Sequence, residues 1–272
     1  MKNNFAYLPA LLSIRDTTHV VNSYSRFNLT IMKLHFTSLL AGATLLTLFS
    51  FNNTPIQTTF SNPHPKKMAT TANAQVWRQL FNGKDLNGWK HVGKGDMVLE
   101  DGMIHGKGGM GLLYWTKEKF GNCTLRVVYK MQKENSNSGV FIRIPIEPRE
   151  EWMPVFYGYE VQIDNHPETS GEDEFHYTGT LYSLTKPLAK PGKPGPEWNT
   201  MEITLDGPRT IVYVNGQKVT DYKEGEHVPE RKFDFEPYRG LRPNSGYFGL
   251  QNHGDSDVVY FKEVAVKPLA KK

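Results

Sequence analysis

An all-β fold, built as an antiparallel β-sandwich, is predicted for this chain by three observations. Alternating apolar and polar residues recur in segment after segment, an Asn-Gly pair joins two such segments, and helical periodicity is almost absent. Many strands at short spacing, with no helices between them, stack as antiparallel sheets and not as βαβ units. The most informative segment is 159–164, where Tyr159, Val161 and Ile163 alternate with Glu160, Gln162 and Asp164. Successive strand side chains point to opposite faces, so the apolar three go to the core and the polar three form a row on the other face. Acidic residues are poor strand formers, and such a row reads as the floor of a polar groove. A solvated strand face that happens to carry an acid at each end is the alternative.

In chain order, residues 124–131 set Leu125, Val127 and Tyr129 against Thr124, Arg126 and Lys130. Residues 139–144, 157–164, 200–206, 210–214, 217–220, 247–252 and 258–266 each show alternation or enrichment in β-branched and aromatic residues. Asn215-Gly216, between 211–214 and 217–219, is the strongest short-range hairpin signal. Residues 147–156 and the Pro-rich 186–196 are too irregular for strands and are expected to be long loops that frame a binding face. The glycine-rich 102–111 is expected to be a cluster of turns. Trp89 and Trp198, next to turn signals, are expected in the core.

Met32-Lys33-Leu34-His35 precedes a charge-free, mostly apolar run over 36–51, the pattern of a secretory signal peptide and too short to span a bilayer comfortably. No cysteine directly follows it, so a lipid anchor is not expected. The division is therefore 1–31, an upstream extension or misassigned start; 32–51, signal peptide; 52–74, a disordered linker rich in Asn, Thr, Pro and Ala; and 75–272, a single β-sandwich domain. This predicts an exported protein, periplasmic or extracellular, whose mature chain begins between about residue 52 and 75.

The formal charge of +4 suggests a basic protein until it is divided along the chain. Of 32 Lys/Arg and 28 Asp/Glu, six and one respectively fall in residues 1–74, so residues 75–272 carry 26 bases and 27 acids. With no basic cluster among aromatics, nucleic acid is set aside as a partner. Cys123 is the only cysteine, which excludes an intramolecular disulfide; its place in an alternating run makes it a packed core thiol. No GxGxxG, P-loop, HExxH, GxSxG or CxxC motif is present, which removes the usual signatures of dinucleotide, nucleotide and metalloprotease chemistry.

Seven segments, in order and spacing, give the chain a resemblance over residues 76–269. They are Leu80-Phe81-Asn82-Gly83-Lys84-Asp85-Leu86-Asn87-Gly88-Trp89, Asn137-Ser138-Gly139-Val140-Phe141-Ile142-Arg143, Gly158-Tyr159-Glu160-Val161-Gln162-Ile163-Asp164, Thr178-Gly179-Thr180-Leu181-Tyr182, Glu197-Trp198-Asn199, Val214-Asn215-Gly216 and Gly249-Leu250-Gln251-Asn252-His253-Gly254. Together they make the chain similar to the 3-keto-disaccharide hydrolase domain family, which is built on a concanavalin A-like jelly roll. The resemblance implies a carbohydrate substrate and cleavage of 3-keto-glycosides. A ketone at C3 acidifies the C2 proton, so a modest base removes it while the C1 substituent leaves, and water then adds. Such a site needs a base near C2, donors at O3 and an acid near the glycosidic oxygen.

Asp164, His253 and Glu160 are the candidates for proton transfer, His253 because it shares strand parity with Gln251 and titrates near neutrality. Its alternative is a loop-capping imidazole. Gln162, Arg143, His166, Trp115, Tyr182 and Gln251 are candidate substrate-binding residues. Arg143 would bring a fork to O3 or a ring hydroxyl, or would pair with Glu160 instead. Trp115 and Tyr182 would stack on a sugar face. The residues identify no definite cofactor, and Asp164, His166, Glu160 and His253 could together supply ligands for a divalent ion that polarises the ketone, although no spacing among them is diagnostic.

Two other functions share this fold. A retaining glucanase sets Glu-x-Asp-x-Glu on a concave strand; here the middle residue is Gln162 and the last is Asp164, whose shorter side chain narrows the reach between carboxyls. A non-catalytic carbohydrate-binding module needs the same aromatics and hydrogen-bonding groups but no base.

Overall fold

A computed structural model describes residues 76–270, and the expectations for the leader and linker lie outside the described residues. Among these, the strands are β1 (Arg78–Gln79), β2 (Trp89–Gly93), β3 (Asp96–Glu100), β4 (Met103–Lys107), β5 (Gly111–Trp115), β6 (Cys123–Met131), β7 (Ser138–Ile144), β8 (Tyr159–Ile163), β9 (Asn199–Asp206), β10 (Arg209–Val214), β11 (Gln217–Lys223), β12 (Tyr247–Asn252) and β13 (Val259–Pro268). One short helix, α1 (Met153–Tyr157), lies between β7 and β8, and two 3₁₀ turns, Pro167–Ser170 and Glu174–His176, follow β8. The strands pair antiparallel in two sheets, one ordered β11-β10-β9-β6-β13-β4-β3 with β1 added at β13, the other β2-β5-β12-β7-β8. The predicted antiparallel sandwich is the fold.

Strands form where the sequence offers each face a distinct environment. Along β9, Met201, Ile203 and Leu205 are fully buried and the residues between them are half-exposed. They meet Leu125, Val127 and Tyr129 of β6 and, from the other sheet, Val140, Ile142, Val161, Ile163 and Leu250 in one core cluster. Each such side chain contributes about 1.5–3 kcal/mol relative to exposure, largely offset by chain entropy. Cys123 is buried, and burial pushes its thiol up to about 12, so it behaves as a small core residue.

The expected loop 147–156 runs into α1, which Pro154 helps to open near its first position, and two further local expectations fail for identifiable reasons. Residues 102–111 are not merely turns: they contain β4 and lead into β5, and Gly106 lies within β4 because the Asn252 side chain occupies the space a Cβ would need. The same Asn252 amide donates to the carbonyls of Asp96, Lys107, Gly108 and Gly109, pinning the glycine-rich segment to the end of β12. Trp198 is half-buried on the outside of the larger sheet, held between the ammonium groups of Lys130 (5.0 Å) and Lys262 (4.0 Å), whereas Trp89 is in the core as expected. No helix among the described residues is long and apolar enough to cross a membrane.

Candidate active site

Residues paired across an antiparallel ladder share a face, and the register of the smaller sheet therefore defines its outer surface. Glu160 is opposite Phe141, Gln162 opposite Gly139, Phe141 opposite Gly249, and Gln251 opposite Leu112. Glu160, Gln162 and Gln251 thus stand on the face away from the core, while Tyr159, Val161 and Ile163 belong to the core cluster, as the alternation predicts. Gly139 is required here. A Cβ on it would come within 2.6 Å of Glu160 Cγ and collide with the carboxylate, so the glycine leaves the room in which that carboxyl lies.

Above this floor is a cavity of about 210 Å³ lined by Glu160, Gln162, Gln251, His253, Tyr182 and Glu172, with Asn137, Met110, Trp152, Val155 and Phe235 completing its walls. Tyr182 arrives because residues 178–182 run along the open edge of β8, with Tyr182 N donating to the Glu160 carbonyl (2.9 Å) and Gln162 N to the Thr180 carbonyl (3.0 Å). α1 and the residue before it add Val155 and Trp152 to the lining. Val155 packs with Leu112, Tyr114, Phe141 and Ile144, covering the neighbouring part of this face with apolar side chains, and Tyr182 packs against the same cluster.

Burial and neighbouring charges shift three of the groups on this cavity. Burial raises the Glu160 carboxyl to about 8, with the nearby Glu172 carboxylate adding to the shift and His253 and a hydrogen bond from Gln251 opposing it. His253 Nδ1 is 2.8 Å from Asp257 Oδ2, which leaves Nε2 for a ligand. Burial would lower its pKa, but the Asp257 bond and the carboxylates of Asp257, Glu160 and Glu172 outweigh that and raise it. Asp257 is itself placed by the Asn137 N–H, which donates to its other oxygen at 3.2 Å. Burial also raises the Tyr182 phenol, which therefore remains a donor. Three buried acceptors among the lining groups, Gln162 Oε1, Gln251 Oε1 and Glu172 Oε2, have no hydrogen-bond partner among the described residues. Buried polar atoms are nearly always paired, and three such acceptors on one cavity suit a hydroxyl-rich ligand.

Of the nine residues singled out in the sequence, five line this cavity: Glu160, His253, Gln162, Tyr182 and Gln251. The other four stand elsewhere. Arg143 is fully buried at the end of the sandwich, with φ +55°, donating to Thr210 Oγ1 (3.2 Å) and to the carbonyls of Pro243 (2.9 Å), Gly207 (2.9 Å) and Arg209 (3.1 Å). The register of β12 on β7 slips by one residue there, and that bulge turns Arg143 inward although alternation would aim it at the groove. Trp115 is in the core, edge-on to Trp89 at 5.4 Å, because β5 sends Leu113 and Trp115 inward and Leu112 and Tyr114 outward.

Asp164 lies just past the end of β8 and is buried; its Oδ1 accepts the His166 N–H (2.8 Å), starting the turn that follows. Burial raises its carboxyl to about 6, but it does not line the cavity. His166 is on the surface, paired with Glu168 at 3.0 Å. Among the described residues no group of three or more His, Cys, Asp or Glu side chains converges as a metal site, so Asp164, His166, Glu160 and His253 do not form the donor set weighed above.

Three lining residues, Met110, Glu172 and Phe235, had no sequence signal and come from irregular segments; Trp152 and Val155 lie in 147–156, the segment expected to frame a binding face, with Val155 in α1. Asn137 stood within a recognised segment, but nothing in its spacing distinguished it.

The 3-keto-alpha-glucoside-1,2-lyase-like domain family matches residues 76–267. A 3-keto-disaccharide hydrolase of Bacteroides thetaiotaomicron is 27% identical, over 70% of this chain and 77% of its own. A crystal structure of a candidate glycosyl hydrolase from Parabacteroides distasonis superposes with a TM-score of 0.59 at 27% identity, covering 71% of this chain and 94% of that one. A second Parabacteroides distasonis structure, at 24% identity and a TM-score of 0.55, shares the fold over 71% of this chain and all of its own.

Proposed function

The chain belongs to the 3-keto-alpha-glucoside-1,2-lyase-like domain family and is a glycosidase-type enzyme; from that premise we propose that its pocket cleaves 3-keto-glycosides by elimination at C1 followed by hydration. The observation that carries this reading is the convergence of Glu160, protonated up to about pH 8, with the His253–Asp257 pair on one cavity. His253 Nε2, neutral and backed by Asp257, takes the C2 proton. The electron pair is delocalised onto O3, where the Tyr182 hydroxyl donates to the developing enolate. As the enolate collapses, a C1–C2 double bond forms and the C1–O bond breaks, and Glu160 gives its proton to the departing oxygen. Water then adds its hydroxyl to C1 and a proton to C2, releasing the 3-keto sugar. Gln162 and Gln251 offer their unpaired oxygens to ring hydroxyls.

Glu172 gives a specific reason to keep direct hydrolysis as a second reading, since it sets a second carboxylate on the cavity beside Glu160. Incubation with methyl glucoside and its 3-keto derivative separates the two. Turnover of the keto compound alone is the expected result; equal turnover of both would replace elimination by direct hydrolysis, and binding without turnover would leave a carbohydrate-binding module. The pattern following Met32 supports export to the periplasm or beyond.

A further inference from the structure

The cavity does not end at Glu172 and Phe235. These two residues also line an adjoining space of about 400 Å³, bounded by Asp173, His176, Lys232 and Phe233. It lies between the 3₁₀ turns after β8 and the long connection from β11 to β12. That connection is clamped at its base. Glu236, 2% exposed, accepts the Lys232 N–H (3.0 Å) and Arg239 Nη2 (3.0 Å), while the Arg239 guanidinium also reaches the Pro229 carbonyl (2.7 Å) and Ser183 Oγ (3.1 Å).

On this held segment two phenylalanines are left in the open. Phe233 is 56% and Phe235 47% exposed, their rings stacked at 5.1 Å and 8° between planes. Two stacked, exposed aromatic rings held against a cavity suit a binding surface. Lys232, 3.2 Å from Asp173, adds a polar rim. Glu172 lines both spaces, and its Oε2 is a buried acceptor with no donor among the described residues.

Resting on the reading of the first cavity as the site of C1 cleavage, we infer that the adjoining space is the leaving-group subsite, and that Phe233 sets its preference for a leaving group with a flat ring. The ring is a pyranose presenting its C–H face or an aryl group presenting its π face; both pack on phenylalanine in the same way. A methyl leaving group reaches neither Phe233 nor Lys232.

The test compares parent and Phe233→Ala on methyl, phenyl and glucosyl 3-keto-glucosides. Expected is a loss of roughly fivefold to tenfold in kcat/KM for one or both ring-bearing substrates, with the methyl compound unchanged. Loss on the phenyl substrate alone identifies an aryl subsite, and loss on the glucosyl substrate alone a sugar subsite. An equal effect on all three substrates, or on none, overturns the inference. Binding of thio-linked phenyl and glucosyl glucosides, measured by titration calorimetry, decides the same point without turnover. If the parent cleaves no keto-glucoside, the reaction assigned above fails, yet weaker binding of a ring-bearing thio-glycoside to Phe233→Ala would still support the subsite, and unchanged binding would overturn it.

Discussion

Replacing Glu160 with Gln is expected to lower kcat on a 3-keto-glucoside by about 10²–10⁴-fold, the usual cost of removing a general acid. The amide keeps the shape of the side chain over Gly139 but cannot give a proton to the leaving oxygen. The proposed general acid must be protonated and the proposed base neutral, so parent activity should fall as pH rises through about 8, and on the acid side as His253 becomes charged. The residual activity of the variant should lack the alkaline limb. On stability the substitution has the opposite effect, a gain. A carboxyl whose folded pKa is raised from 4.5 to about 8 holds its proton longer when folded, so the parent loses stability as pH rises across that window. The variant escapes this loss, and its thermal midpoint should climb relative to the parent between pH 5 and 8. A variant with kcat within threefold of the parent and the alkaline limb intact would remove Glu160 from the reaction.

Arg143→Ala is expected to act on the fold and not on the chemistry. Its guanidinium satisfies Thr210 Oγ1 and the carbonyls of Pro243, Gly207 and Arg209 at the closed end of the sandwich. Truncation leaves those acceptors buried and opens a void, at a cost of about 3–5 kcal/mol, which in a domain of this size lowers the thermal midpoint by roughly 10 °C. Thermal unfolding and kcat/KM of the folded fraction below the transition measure the two separately. A midpoint within about 2 °C of the parent together with a large rise in KM would return Arg143 to the substrate.

The contrast between these two residues shows what alternation can and cannot reveal. Along β8 the period of two is unbroken, so Glu160 and Gln162 could be read onto the groove and Val161 and Ile163 into the core. One step further, the strand has ended, and Asp164 turns to hold the His166 N–H. On β7 a single extra residue inverts the faces beyond Ile142, and nothing in the residue types announces the bulge. Trp115 ends a run, 111–115, in which every residue is buried, so no polar position marks which face is which. Glu172, Trp152 and Phe235 reach the cavity from turns and connections, where placement depends on contacts distant in sequence. Asp257 sits four residues from His253, but a loop has no period that would have paired them.

In the proposed reaction the C2 proton is removed before or as the C1 bond breaks. The most direct measurement is the kinetic isotope effect on cleavage of a 3-keto-glucoside carrying deuterium at C2, under kcat/KM conditions with the parent enzyme. Elimination with His253 as base predicts that the deuterated substrate reacts more slowly by a primary effect, roughly twofold or more, with the C2 hydrogen of the product drawn from solvent. An isotope effect close to unity, with the substrate's own deuterium retained at C2 of the fresh product, would contradict the account and assign cleavage to direct attack at C1.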